Sequence, residues 1–130
     1  MGDRANIFIS EPTKDNPKNG MYFYTHWGGN TLLNDLHDAL IRGKDRWSDD
    51  QYLPRIIFCQ MVQDDWESTT GYGLSTRIGD NGHPILVVDT ENQMVGITKE
   101  GNEPTCHFSM SFEEFTSKSK EEIKELFDWS

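Results

Sequence analysis

Hydrophobic positions change their spacing along this chain, and the changes predict where strands and helices lie. Residues 4–9 alternate loosely between apolar and polar, and residues 21–25 are rich in aromatic side chains, which is typical of β-strands. The stretch between them is rich in Pro, Asn, Asp and Gly and predicts an exposed connection. We therefore expect the chain to open with a β-hairpin whose second strand ends near His26.

Helical spacing follows the hairpin. Between Thr31 and Gly43, apolar residues recur on one side of a predicted helix: Leu32, Leu33, Leu36, Ala39 and Leu40. His37 is expected at the border of this apolar stripe. Residues 48–51 have the form of a capping box, and Pro54 places the N-cap of a second helix at Asp49 or Asp50. Apolar residues cover most of this second helix, so we predict it to be the most buried one.

The second half of the chain returns to strand spacing. Alternation over residues 71–78, a turn at 79–82 and an apolar run at 84–89 predict a hairpin whose second strand is central in a sheet. Two further strands are expected at residues 93–98 and 105–110. Ser111 and Ser119 each begin a capping-box pattern, which predicts two short helices with these side chains facing inward: Phe112, Phe115, Ile123, Leu126 and Phe127.

These elements predict an α+β fold for residues 1–130 as a single domain. Because hairpins rather than regular crossovers connect the strands, we expect a mostly antiparallel sheet of about five or six strands with two or three helices packed on it. A chain of 130 residues buries about two-thirds of its unfolded surface, so neither a disulfide nor a metal is needed for stability.

The net charge narrows the classes of partner. With 22 acidic and 12 basic residues the formal charge is −10, which disfavours direct binding to nucleic acid or to an anionic membrane. The acidity has two interpretations: it serves solubility alone, or it suits a protein partner with a basic surface. The second requires acidic residues clustered on one face, with exposed aromatics such as Trp66 or Trp129 at its centre.

Cysteine usage and hydropathy indicate a soluble protein of a reducing cytoplasm. Cys59 and Cys106 have no paired spacing and are expected to be free, buried thiols. No apolar stretch resembles a signal peptide, and none approaches the roughly 20 residues that span a bilayer.

The segment from Tyr24 to Asn30 carries the densest candidate chemistry. An aromatic strand runs through His26 and Trp27 into two glycines, and a helix follows. Free N–H groups at such a turn and the positive end of a helix dipole form a plausible anion site, with an indole to stack on a planar group and an imidazole to exchange a proton. The alternative is that the glycines make only a tight connection and Trp27 belongs to the core. The candidate ligand-binding residues are Tyr24, His26, Trp27, Gly28, Gly29 and Asn30, with Arg4 (or Arg42 or Arg55) supplying positive charge.

Catalysis is the less favoured interpretation. A hydrolase could use His26 or His83 as base with Asp35, Asp80 or Asp89 to orient it, but no nucleophile motif supports this, and Cys59 is expected to be inert in its apolar helix. No histidine pair has the spacing of a zinc site. We expect no catalytic residues, no metal and no cofactor.

The opening Met1–Ile7 and the segment Tyr24–Gly29 resemble small uncharacterised proteins of bacteria and of phages or prophages. Those proteins begin Met-Gly-Asn-Arg-Ala and carry His-Trp-Asn-Gly-Gly or His-Trp-Gly-Gly. The resemblance covers about the first 45 residues, with weaker echoes at 52–61 and 79–82, and this chain departs from it at Asp3, where Asn is expected. It implies a bacterial or mobile-element setting and no chemistry.

The sequence thus predicts a non-enzymatic accessory protein that binds a protein partner through its acidic surface, for example as an inhibitor of host defence. The alternative is a binder or hydrolase of a small nucleotide-like ligand at His26–Gly29. The oligomeric state does not follow from the sequence.

Overall fold

A computed structural model describes residues 2–98 and 106–129. Its six strands form one mixed sheet in the order β3-β2-β1-β4-β5-β6, so the predicted α+β class is confirmed. The strands and helices are β1 (Ala5–Ser10), β2 (Gly20–Thr25), α1 (Leu32–Arg42), α2 (Tyr52–Val62), β3 (Tyr72–Ser75), β4 (Leu86–Asp89), β5 (Met94–Thr98), β6 (Cys106–Ser111), α3 (Phe112–Ser117) and α4 (Lys120–Leu126). The predicted loop 99–104 and Thr105, the first residue of the last predicted strand, lie outside the described residues.

The sheet consists of two antiparallel meanders joined at its centre. Strands β3, β2 and β1 form one meander, β4, β5 and β6 form the other, and β1 and β4 run parallel. The predicted opening hairpin is β1 with β2 and is confirmed, and β4 is central as expected.

The predicted hairpin between residues 71–78 and 84–89 is wrong. The first strand, β3, ends at Ser75 and pairs with β2 at the sheet edge. Two strands, β2 and β1, separate it from β4. The connecting segment is tied to β1 instead: Asn6 Nδ2 donates to the Asp80 carbonyl at 3.0 Å, and the Gly82 N–H donates to the Arg4 carbonyl at 2.8 Å. Ile78 packs with Phe8 and Tyr22, so an apolar residue of the predicted strand anchors a crossing loop.

The helices cover one face of the sheet, and the core lies between. Helix α1 is the most buried helix, with six buried residues against four in α2, so the prediction for α2 is wrong. The reason is position: α1 packs against α2, α3 and α4, whereas α2 flanks it on one side. For the same reason His37 is buried rather than at the border, and its Nε2 donates to the Lys118 carbonyl at 2.8 Å.

Several predicted helix ends are confirmed by side-chain hydrogen bonds. The Ser111 hydroxyl accepts the Glu114 N–H, and Ser119 and Glu122 form a reciprocal capping box. Helix α2 begins after Gln51, later than predicted, although the Asp49 carboxylate accepts the N–H groups of Gln51 and Tyr52.

Two predictions of burial fail at short or edge elements. Of the five side chains predicted to face inward in the C-terminal helices, only Leu126 is exposed, because Ile123 and Phe127 occupy the inner face of α4. Cys59 and Cys106 are free as predicted, but neither is buried: Cys59 is half-buried on α2, and Cys106 is exposed on the edge strand β6. Among the described helices, none is long and apolar enough to cross a membrane.

Candidate functional site

The glycine turn that precedes α1 is filled by the carboxylate of Asp3. The Gly28 N–H donates to the Thr25 hydroxyl at 3.1 Å, and the Gly29 N–H donates to the Asp3 carbonyl at 2.9 Å. The Asn30 N–H donates to Oδ2 of Asp3 at 2.6 Å. The backbone groups that the sequence predicted as an anion site are therefore bound within the chain itself, the Asn30 N–H by a carboxylate and the two glycine N–H groups by neutral oxygen atoms.

The second oxygen of Asp3 fixes a histidine behind the turn. Oδ1 lies 2.6 Å from His83 Nε2, and this hydrogen bond holds the pKa of the Asp3 carboxyl below its ordinary value. The His83 ring stacks on Trp129, with 4.9 Å between ring centroids, and the Trp129 indole N–H donates to the Gly29 carbonyl at 3.0 Å. Trp129 is only 4% exposed, so its predicted place at the centre of an exposed face is wrong.

Gly29 is required by this close packing. A Cβ atom at this position would lie 2.6 Å from the Asp3 carbonyl oxygen and 2.7 Å from His83 Nε2, closer than real Cβ atoms come to other groups. The structure thus supports the alternative that the sequence left open for Gly29: glycine is needed here so that the chain can pack closely.

His26 belongs to a different set of contacts. Its Nδ1 lies 2.7 Å from the Tyr24 hydroxyl and makes a long contact of 3.5 Å with Nε of Arg4, which also lies 3.7 Å from Oδ2 of Asp80. Trp27 meets the His26 ring edge-on and is 58% exposed, so it is not a core residue. Of the seven candidate ligand-binding residues, the structure joins Tyr24, His26 and Arg4 and leaves Trp27 beside them, while Gly28, Gly29 and Asn30 face Thr25 and Asp3.

A surface cleft of about 260 Å³ adjoins Tyr24 on the sheet face opposite the helices. Asn6, Tyr22 and Tyr24 line it together with Arg77 and Asp80. Sequence reasoning missed Arg77 because it placed this residue in a hairpin strand. The only feature of the sequence that points to Arg77 is weak: it is a single arginine between two turn-rich segments.

The arrangement of the histidines does not resemble the hydrolase considered from the sequence. The carboxylate that orients His83 is Asp3, and not Asp35, Asp80 or Asp89. Within residues 2–98 and 106–129, no Ser, Thr or Cys side chain hydrogen-bonds to His26 or His83, and no three His, Cys, Asp or Glu side chains are grouped for a metal ion.

Three carboxylates and two aromatic side chains lie around the end of α2. We call this group the acidic patch: Asp35, Asp64, Asp65, Trp66 and Tyr72. Burial raises the pKa of Asp35 to about 6, and the charges of Asp38 and Asp64 add to the effect against the opposing charge of Lys120. Burial raises the pKa of the Tyr72 hydroxyl, and Asp65 raises it further. Trp66 is 72% exposed, the most exposed large hydrophobic side chain in the described part of the chain.

Comparisons with models of known protein families, with curated proteins and with solved structures find no match to this chain. The candidate site is therefore interpreted from its own geometry.

Proposed function

We propose that this protein is a non-enzymatic accessory protein that binds the basic surface of a protein partner through its acidic patch. The observation that carries the proposal is the exposed indole of Trp66, 72% exposed, in a run of acidic residues that follows α2. The charges of Asp38 and Asp64 add to burial in disfavouring ionisation of Asp35, so negative charge collects at this surface. A partner's Lys or Arg would meet that charge.

Trp66 gives the same surface an anchor. An exposed indole offers a large contact area at low cost in conformational entropy, and Trp is enriched at the energetic centre of protein interfaces. Here the indole stands between Asp65 and Glu67 in sequence, so a partner that covers it also meets carboxylates. Charges around such an anchor steer association and select the partner.

The biological setting of the proposal rests on the resemblance to bacterial and prophage proteins. An acidic protein that covers a basic face made for nucleic acid would inhibit the partner that carries it. An inhibitor of host defence is the role that combines this charge with that setting.

The experiment is a capture of partners from bacterial lysate on tagged protein, with variants of the patch. We expect one stoichiometric partner on the wild-type chain, retained by Trp27→Ala and Asp15→Asn, and lost from Trp66→Ala and from Asp64→Asn/Asp65→Asn. Binding should weaken as salt rises, because exposed charges are screened. A partner that binds all five proteins equally would contradict the proposal.

A second candidate function is binding of a small nucleotide-like ligand in the cleft beside Tyr24. The observation that favours it is the hydrogen-bonded series Tyr24, His26 and Arg4 at the margin of a cleft with two tyrosines and Arg77. Because Asp3 occupies the turn, Arg4 and Arg77 are the groups that would meet a phosphate, and a tyrosine ring would stack on the base.

Titration with a panel of nucleoside mono- and diphosphates, followed by NMR, tests this candidate. We expect shifts in Tyr24 and Arg77 that disappear in Tyr24→Ala and persist in Trp27→Ala, and turnover of the nucleotide would make the protein a hydrolase. Shifts confined to Gly28–Asn30 would place the ligand at the turn instead. No shift at any residue would remove the candidate.

A further inference from the structure

Strand β3 forms one edge of the sheet, and the pattern of hydrogen bonds shows which of its backbone groups point outward. The His26 N–H donates to the Gly71 carbonyl at 2.8 Å, so residue 71 bonds toward β2. Because every second residue of an antiparallel strand bonds to the same neighbour, Gly73 and Ser75 also bond to β2. The Glu11 N–H donates to the Asn19 carbonyl at 2.9 Å, so the odd-numbered residues of β2 bond to β1. Its even-numbered residues are left to bond to β3, which agrees with the first hydrogen bond. The N–H and C=O groups of Tyr72 and Leu74 therefore point away from the sheet.

This edge strand is short, but it carries neither charged side chains nor proline. Natural edge strands are guarded by charged side chains, proline or bulges, and Tyr72–Ser75 contains no charge or proline. Leu74 pairs with buried Phe23 and so projects toward the helix side of the sheet, yet it is 52% exposed. Within the described residues no strand lies beyond it.

The charge at one end of β3 favours one kind of occupant. Asp65 lies close enough to Tyr72 to raise the pKa of its hydroxyl, and Asp64 adds to the effect. A strand laid along the edge would thus meet an apolar position at Leu74 and carboxylates beyond Tyr72, all on the same side of the sheet. A second copy of this chain is disfavoured, because each carries a formal charge of −10.

We propose that β3 accepts an extended strand of a basic protein partner, which becomes the seventh strand of the sheet. The incoming strand bonds to the backbone of Tyr72 and Leu74. On the helix side of the sheet it places an apolar side chain over Leu74 and, two residues along, Lys or Arg toward Asp64 and Asp65. This inference rests on the proposed function, since the same acidic patch selects the partner, and it adds how the partner is held.

The test uses a peptide of about ten residues, a typical strand length or slightly more, in which Val and Lys alternate along one face and Thr fills the other (the Lys-Val peptide). Its controls are a Glu-Val peptide and a Lys-Val peptide N-methylated at alternate residues along one edge, which keeps its charge but cannot pair. Backbone hydrogen exchange reports on β3, and the NMR signal of the Trp66 indole N–H, resolved from those of the other three tryptophans, reports on the patch. We expect exchange at Tyr72 and Leu74 to slow by about tenfold or more with the Lys-Val peptide only.

Leu74→Pro removes one outward N–H without removing a bond to β2, because proline is tolerated at an edge where the N–H faces solvent. We expect it to weaken binding by about tenfold or more, while Leu74→Ala, which keeps the N–H, weakens it less. If Leu74→Pro does not fold, the N-methylated peptide decides alone.

The possible outcomes distinguish a failure of strand addition from a failure of the proposed binding by the acidic patch. If Trp66 responds to the Lys-Val and N-methylated peptides alike while exchange at β3 is unchanged, strand addition is wrong and the acidic patch still binds. If neither Trp66 nor β3 responds, both fail. Slow exchange that depends on protein concentration without peptide would assign the edge to a second copy and overturn the inference.

Discussion

The carboxylate of Asp3 lies 2.6 Å from Nε2 of His83, a residue 80 positions further along the chain. With its other oxygen Asp3 accepts the Asn30 N–H, so one side chain ties the beginning of the chain to the start of α1 and to the loop before β4. The resemblance to bacterial and prophage proteins predicts Asn at this position. An amide keeps the shape of this contact but loses its charge, and several properties of the protein should depend on that charge.

Asp3→Asn should lower the free energy of unfolding at pH 7 by about 1 kcal/mol, since a charge-assisted hydrogen bond is lost at a partly exposed site. The pKa of Asp3 is lower in the folded chain than in the unfolded one. Its contribution is therefore complete above the unfolded value and is lost as pH falls through the folded value. Urea denaturation should show the difference at pH 7 and a smaller one below pH of about 4. Asp15→Asn is the control, and a gap independent of pH would contradict this explanation.

Gly29→Ala should destabilise the fold by about 1–3 kcal/mol, because its methyl group would overlap the Asp3 carbonyl and His83. The matched control is Gly79→Ala, where an added Cβ meets nothing within 4 Å. Thermal unfolding of both variants is the measurement. Equal melting temperatures for the two would show that the Asp3–His83 contact yields easily.

Asp35→Asn should stabilise the protein at neutral pH. The pKa of Asp35 is about 6, above its unfolded value, so the folded state holds an extra proton between about pH 4 and 6 and stability falls as pH rises through that range. The full effect would be about 3 kcal/mol, but the carboxyl is only half-buried and solvent screening reduces the expected gain to about 1 kcal/mol.

Denaturation at pH 4 and pH 7 measures the Asp35 effect. The variant's advantage should be small at pH 4 and larger at pH 7. Asp45→Asn, an exposed change of the same charge, should show no such growth. An Asp35 variant less stable at pH 7 than the wild type would mean that the carboxylate is stabilised by contacts other than those described.

Ser119→Ala should cost about 1 kcal/mol, because the hydroxyl accepts the Glu122 N–H at the start of α4. Ser119→Asp keeps an acceptor at the same position and should recover most of the loss. Chemical denaturation of the two variants compares them directly. If alanine and aspartate are equally harmful, the serine has a role besides capping.

Local patterns in the sequence predicted local structure well. The aromatic run Tyr22–Tyr24, the apolar stripe of α1 and the serine caps depend on neighbours within a few residues, and the structure places them as expected. Alternation over residues 71–78 predicted a strand twice as long as the real one, because Ile78, which packs on the sheet from the loop after β3, has the same spacing as a residue within the strand.

Contacts between distant residues explain what the sequence could not predict at the candidate site. An anion site was inferred at Gly28–Asn30 from free N–H groups, and nothing nearby in sequence shows that Asp3 accepts two of them. Trp129 and Trp66 have similar acidic neighbours, yet one lies under His83 and the other is exposed. Only tertiary packing distinguishes the two indoles.

The parallel pairing of β1 with β4 separates the chain into a part that assembles from near neighbours and a part that cannot. The pairs β1–β2 and β4–β5 close short loops, whereas β2 and β3 pair across two helices and the pair Ile7–Leu86 joins residues still further apart in the chain. Long loops cost more entropy to close and slow the folding of sheets. We expect the β1–β2 and β4–β5 hairpins to gain structure before β1 pairs with β4, so that substitutions at Ile7 or Leu86 alter the unfolding rate more than the folding rate.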